Sequence, residues 1–252
     1  MHPYAQFWIT TELQGCLTRW VVGLFLVAGS QMLIAGGNLE TLIETVRDSY
    51  RSLPGEMGLE APSPAVVEAL QKVFRPQFMP EAQRQHGWED RPLPIGYGQT
   101  ISQPSIVAMM TDLLQIESGD KVLEVGTGSG YQAAILAEVG AEVYSIEIIE
   151  ALADKARERL QRLGYGKVHL RTGDGYHGWP KAAPFDGILV TAAASHVPPP
   201  LVEQLNPGGR MVIPVGGRFT LQYLMLVEKQ VDGSVTTRQL LPVIFVPLTG
   251  KH

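Results

Sequence analysis

The stretch Val122-Leu-Glu-Val-Gly-Thr-Gly-Ser-Gly-Tyr131 limits what this chain can fold into more than any other. Val122 to Val125 is an apolar run bounded by Asp120 and Lys121 before and by glycines after, the pattern of a buried parallel strand ending in a tight turn. Ala133 to Val139 then continues at helical spacing, so the order is strand, glycine loop, helix. Gly126, Gly128 and Gly130 permit positive φ and close approach of a ligand to the backbone, at the strand end where open α/β sheets bind. A second strand, Glu142 to Ile146, ends in Glu147, about 20 residues past the loop, where such folds hold a ribose. The expectation is a nucleotide-like cofactor. The loop lacks the Lys-Ser/Thr ending of a P-loop and its G-x-G-x-G spacing departs from G-x-G-x-x-G, which argues against both ATP and NAD.

The 252 residues suffice for one sizeable core with an appendage. A net charge of −5 argues against nucleic acid as a partner. A single cysteine, Cys16, excludes internal disulfides and cysteine-cluster metal sites, and the six histidines show no ligand spacing, so no metal is expected. His86, His177 and His196 read as surface or hydrogen-bonding residues rather than bases, and Tyr131 and Trp179 as packing residues.

The expected organisation is an apolar extension over residues 1–37, a helical region with a connector over 38–93 and the main α/β domain over 94–252. Within the extension, Leu17 to Ala35 has Arg19 as its one charge and is slightly short of a bilayer span. It offers no clean cleavage site, and Arg19 on the cytoplasmic side would place the rest of the chain outside. Cytoplasmic residence is the expectation, with a signal or anchor as the alternative; a later start at Met32 or Met57 would remove the stretch.

Asn38 caps a helix through Val46, and Ser63-Pro64 opens a second through Val73. Phe74 to Pro94, rich in Pro, Gln and charge, reads as an irregular surface connector. A glycine turn at Pro94 to Gly98 then leads through Gln99-Thr-Ile-Ser102 to a helix ending at Leu114. Ser102 fits the N-cap, and a hydroxyl beside a helix N-terminus also suits a carboxylate. Further on come an amphipathic helix from Ile149 to Leu163, strands at Val168 to Arg171 and Phe185 to Val190, and a short helix at Leu201 to Leu205. Asn206-Pro-Gly-Gly209 reads as a turn before a strand from Arg210 to Val215. Leu221 to Glu228 and Gln239 to Leu248 form an antiparallel edge around Asp232-Gly233. Asp174, flanked by glycines after the third strand, faces the same crevice as the central loop.

Gly98-Gln-Thr-Ile-Ser-Gln-Pro104, Leu123-Glu-Val-Gly-Thr-Gly-Ser-Gly-Tyr131, Gly173-Asp-Gly-Tyr-His-Gly-Trp-Pro180, Phe185-Asp-Gly-Ile188, Leu205-Asn-Pro-Gly-Gly-Arg-Met-Val-Ile-Pro214 and Phe245-Val-Pro-Leu248 together resemble the protein-L-isoaspartate (D-aspartate) O-methyltransferases. The glycine loop is common to many S-adenosylmethionine enzymes, whereas the G-Q-T-I-S-x-P segment is specific to this family. The resemblance implies a Rossmann-like α/β fold, mostly parallel with an antiparallel C-terminal edge, and S-adenosyl-L-methionine as cofactor. It implies methylation of the free carboxylate of L-isoaspartyl, and less well D-aspartyl, residues in damaged proteins, by a monomer. By position, Ser102 matches the active-site serine within a substrate segment Gln99, Thr100, Ile101 and Ser102. Gly126, Thr127, Gly128 and Gly130 match the cofactor loop, Glu147 the ribose ligand, and Asp174 with Gly175 the adenine side. The apolar extension is outside the family's usual pattern.

A carboxylate is already ionised at neutral pH, so attack on a sulfonium methyl needs alignment more than a base. Rival readings are a methyltransferase with a different small-molecule or nucleic-acid acceptor, a non-catalytic binding protein on the same fold, and a nicotinamide dehydrogenase. The acidic balance, the absence of an N-P-P-Y or D-P-P-Y motif, the loop spacing and the G-Q-T-I-S-Q-P segment argue against them.

Overall fold

The computed structural model describes residues 39–53, 55–217 and 220–251; the apolar run from Leu17 to Ala35, Cys16 and the cap at Asn38 lie outside these residues. Among the described residues no helix is long and apolar enough to cross a membrane. The chain divides into two compact units, Met1–Thr41 and Leu42–His252. Of the first, residues 39–41 are described, as the opening of helix α1, residues 39–51.

The second unit is organised by the strand–loop–helix stretch. Its strands β3 (Lys121–Val125), β4 (Glu142–Glu147), β5 (His169–Thr172), β6 (Phe185–Val190) and β7 (Leu205–Val215) run parallel, in the order β5-β4-β3-β6-β7. Strands β8 (Gln222–Lys229) and β9 (Val235–Val243) extend this seven-stranded sheet antiparallel beyond β7. Strand order reverses between β3 and β6, and that is where open α/β sheets leave a crevice at the carboxyl ends. The central strands carry near-continuous apolar sequence because helices cover both faces. Leu123 and Val125 join Ile188, Val190, Met211 and Ile213 in one core cluster, whereas Glu124, pointing the other way, is opposite Ser145 on β4.

Helices α4 (Tyr131–Glu138) and α5 (Glu150–Arg162) make the crossovers between β3, β4 and β5. Before the sheet come α2 (Pro64–Lys72), whose N-cap Ser63 accepts a hydrogen bond from Val66 N at 3.2 Å, and α3 (Pro104–Leu114). α1 is tied to α3 by the buried Tyr50, whose hydroxyl donates to Asp112 at 2.6 Å.

Several sequence expectations need correction. The short helix expected at Leu201 to Leu205 spans Pro199–Glu203. The segment from Phe74 to Pro94 is laid over the surface only in part: the 3₁₀ turn Arg75–Phe78, with Met79 after it, buries Arg75, Phe78 and Met79, whereas the second 3₁₀ turn, Glu81–His86, has no buried residue. Its polar composition hides this because both terminal nitrogens of the Arg75 guanidinium donate to backbone carbonyls rather than to solvent. The Asn206-Pro-Gly-Gly209 sequence is not a free turn but the bulged start of β7, with Phe185 opposite Leu205 and Gly187 already opposite Arg210. Gly208 at φ 87° and a hydrogen bond from Asn206 Nδ2 to Asp186 at 2.6 Å let turn chemistry serve a bulge. The last strand starts earlier than its apolar pattern, at Val235, and stops at Val243, leaving Ile244–Leu248 to run elsewhere.

Candidate active site

The hairpin of β1 (Leu93–Gly96) and β2 (Gln99–Ile101) brings the hydroxyl-rich segment to the crevice. Tyr97 and Gly98 are its two-residue turn, both at positive φ (55° and 72°), the geometry whose twist matches paired strands. Ser102 follows β2 directly, half-buried, with no hydrogen-bond partner for its hydroxyl among the described residues. It is not the N-cap. That position is Gln103, which makes no cap bond of its own; Asp90, from the preceding connector, instead accepts from Ser105 N at 2.8 Å and from Gln103 Nε2 at 2.9 Å. The capping carboxylate comes from another segment, and Ser102 Oγ stays free to meet a ligand.

On the opposite wall is the glycine loop. Gly126, Gly128 and Gly130 have φ of 100°, 52° and 84°, conformations that side chains disfavour. A Cβ on Gly126 would overlap Thr191 Oγ1, which donates to Gly126 O at 2.6 Å and anchors the loop to the end of β6. Glu147 is buried with one carboxylate oxygen accepting from Gly128 N (2.8 Å) and the other from Ile149 N (2.9 Å). The acid therefore holds the loop open and lines the cleft together with Gln99, Thr100, Gly126, Gly128 and Gly175. Gly175 is seated against Val125, with no room for a side chain. Asp174 beside it accepts from Tyr176 N (3.0 Å) and Lys251 N (3.1 Å). Thr127 is buried and bonded to Ser145 at 2.5 Å, and the Ile101 side chain is part of the core, so the loop and hairpin reach the cleft through neighbouring atoms there.

The segment after β9 closes the site. Ala193 N donates to Val246 O and Leu248 N to Ala193 O, both at 2.8 Å, so Val246 to Thr249 forms a strap along the cleft. Outside the strap is an apolar groove of about 450 Å³ between Thr100, Ser102, Ile106, Leu221, Ile244 and Phe245. Leu221 and Ile244 are 72% and 95% exposed, large apolar side chains of the kind that mark a binding surface.

One functional candidate escaped the sequence reading. Glu124, a carboxyl in an otherwise apolar strand, is fully buried and accepts from Ser145 Oγ at 2.5 Å through one oxygen. Its other oxygen, Oε1, has no partner, and the residue lines the inner recess with Thr100, Ser102, Gly126 and Gly128. Desolvation pushes its pKa from 4.5 to about 8; the Ser145 hydrogen bond opposes this and the nearby Glu147 charge adds to it. The signal was present in the sequence as a charge at a core position.

Histidines stay outside this arrangement. His196 bridges Ser195 and Tyr176 at 3.0 and 3.1 Å, and His86 pairs with Glu89 at 2.5 Å. The cleft thus offers a bed of backbone and carboxylate for a nucleotide-like ligand, with a free hydroxyl next to it and, among the described residues, no histidine in its walls.

A family model described as Protein-L-isoaspartate(D-aspartate) O-methyltransferase matches residues 58–252. The chain is 57% identical over 247 residues to Protein-L-isoaspartate O-methyltransferase 2 of Syntrophobacter fumaroxidans, covering 94% of this chain and 100% of that protein. It is 62% identical over 202 residues to Protein-L-isoaspartate O-methyltransferase 1 of Nitrosospira multiformis, 80% of this chain and 86% of the relative. Among solved structures, a protein-L-isoaspartate O-methyltransferase superposes with a TM-score of 0.73 at 28% identity, over 84% of this chain and 66% of that one. A Plasmodium falciparum structure holding S-adenosyl-L-homocysteine shares the fold, with a TM-score of 0.68 at 23% identity over 83% and 97% of the two chains.

Proposed function

The chain belongs to the protein-L-isoaspartate (D-aspartate) O-methyltransferase family, and on that premise we propose how its own residues carry the reaction. It is an S-adenosyl-L-methionine-dependent protein carboxyl methyltransferase whose acceptor is the free carboxylate of L-isoaspartyl, and D-aspartyl, residues in damaged proteins. The observation that carries the assignment of roles is the free Ser102 hydroxyl next to the loop–acid cleft, in a recess and groove that no histidine lines among the described residues.

The residues fit the cofactor. Glu147, fixed by the Gly128 N–H, presents carboxylate acceptors for ribose hydroxyls, Gly175 leaves a flat wall for adenine, and the orphan oxygen of Glu124 suits an ammonium. When bound, S-adenosyl-L-methionine supplies an electrophilic methyl group on a sulfonium. Ser102 donates to one oxygen of the acceptor carboxylate and turns the other toward that methyl group. The peptide lies in the apolar groove, and the groove with the strap excludes water from the carboxylate, which raises its nucleophilicity. No proton moves, so His86, His177 and His196 have no role in the transfer. A cofactor drawn from the cytosol supports action in the cytoplasm, and size-exclusion chromatography tests the expected monomer.

The experiment is transfer of labelled methyl to two peptides that differ only in L-isoaspartate against L-aspartate. Base-labile label on the isoaspartyl peptide alone is the expected result; equal labelling of both, or label stable to mild base, overturns the reading.

Glu124 gives the fold a pH signature. With its folded value raised from 4.5 to about 8, the native state holds a proton there that the unfolded chain releases. The resulting stability is complete below 4.5, declines as pH rises and is gone by about 8. Glu124→Gln keeps the neutral shape at every pH, so its melting temperature relative to the parent is expected to rise from pH 5 to pH 8 and then level off. A difference independent of pH would show that Glu124 is ionised in the folded protein.

A further inference from the structure

Ser102 has a free hydroxyl, yet its backbone is held from two sides by residues outside the crevice. Arg75 is fully buried, and its guanidinium donates to four carbonyls: Nη1 to Gly87 (2.9 Å) and Glu89 (3.2 Å), Nη2 to Arg91 (2.9 Å) and Ser102 (3.0 Å). The loop that it gathers carries Asp90, which grips Gln103 and Ser105. Ser102 is therefore flanked by one anchor on its own carbonyl and another on Gln103 and Ser105.

As a stabilising device this is a poor one. Among the described residues no carboxylate reaches Arg75 within ion-pair distance, its Nε is buried without a partner, and burial holds its pKa below the usual arginine value. Desolvating a guanidinium costs several kcal/mol, and apolar replacements of buried charges are often neutral or stabilising. What an apolar side chain could not do is tie three carbonyls of one loop to that of Ser102, which the planar fork of arginine does. The guanidinium also lies 5.9 Å from the ring centroid of Tyr131, the first residue of α4 after the glycine loop, so the same group abuts both walls of the site.

We propose that Arg75 and Asp90 are positioning residues for methyl transfer, acting through Ser102 by setting where its hydroxyl meets the acceptor carboxylate. The proposal rests on the carboxylate-orienting role of Ser102 and extends it to a buried clamp that touches no substrate.

The test is a double-mutant cycle on turnover of the isoaspartyl peptide with Arg75→Lys, Asp90→Ala and Ser102→Ala, alone and combined. A lysine ammonium has three donors and no fork, so it cannot serve the four carbonyls. Arg75→Lys is expected to lower kcat/KM for the peptide about tenfold, with the dissociation constant for S-adenosyl-L-homocysteine nearly unchanged, since small misplacements of a reacting group cost this much or more. In the Ser102→Ala background neither clamp variant is expected to lower activity further. Equal losses in both backgrounds overturn the clamp while leaving Ser102's role intact; no effect of Ser102→Ala alone overturns that role and the clamp with it. Loss of cofactor affinity as large as the loss of turnover also overturns it. Should Arg75→Lys not fold, Asp90→Ala leaves the buried guanidinium in place and decides the same question.

Discussion

Ser102→Ala is expected to reduce turnover of an isoaspartyl peptide about 100-fold while changing the affinity for S-adenosyl-L-homocysteine less than about twofold. The asymmetry follows from position. Ser102 lines the inner recess and the apolar groove but is absent from the walls of the cleft formed by Glu147, Gly126 and Gly175. Because its hydroxyl bonds to no protein group among the described residues, removing it leaves no buried partner unsatisfied and the fold is not expected to suffer. The loss is then one of alignment: the carboxylate still enters, but no donor selects which oxygen faces the methyl group. Single-turnover rates on the isoaspartyl peptide and calorimetric titration of the product cofactor measure the two halves separately. Parallel losses in both would place Ser102 in cofactor binding instead.

Gly126→Ala has the opposite signature and a comparable size. The new methyl group must displace Thr191 Oγ1, which anchors the loop, and must accept φ near 100°. Positive φ alone costs an alanine about 1–2 kcal/mol; the overlap adds to that by moving the loop whose Gly128 N–H meets Glu147. Affinity for S-adenosyl-L-homocysteine is expected to fall by at least about 100-fold, since the loop and the acid wall shift together. Gly164→Ala is the matched control. Gly164 has φ 92° in open space after α5, so its substitution carries the strain without the overlap and is expected to lower stability while leaving binding alone. A Gly126→Ala protein that binds as the parent does would show that the loop can yield.

The parts of this molecule that could be read in advance are those whose cause lies within a few residues. β3, the glycine loop, α4 and β4 follow from an apolar run, three glycines and a helical repeat, and the structure places them within a residue or two of the expected limits. Ser63 before Pro64 announces α2 in the same local way. The failures are non-local. Asp90 caps α3 from a different segment, so Ser102, the nearest hydroxyl, took the cap by default. Arg75 is buried because four carbonyls converge on it, which composition cannot reveal, and a Pro- and Gln-rich stretch around it suggested a surface path. Asn206-Pro-Gly-Gly209 shows a different ambiguity, since the residues that favour a turn also favour a bulge and the choice depends on the pairing of β7 with β6. Glu124 stood in plain view, but a lone acid in a strand carries no information about its partner until β4 is placed beside it.

The geometry of the β8–β9 hairpin has a practical side for labelling and fusion. Gln222 pairs with Val243 at the end next to the strap, whereas Lys229 pairs with Val235 at the other, where residues 230–234 form an exposed turn. Exposed loop tips are the places where chains tolerate added material. A fluorophore or an inserted tag therefore belongs in that turn, the length of a hairpin away from the chemistry. The same addition after Lys251 would hang from a residue whose backbone N–H is bonded to Asp174, at the doorway of the cleft.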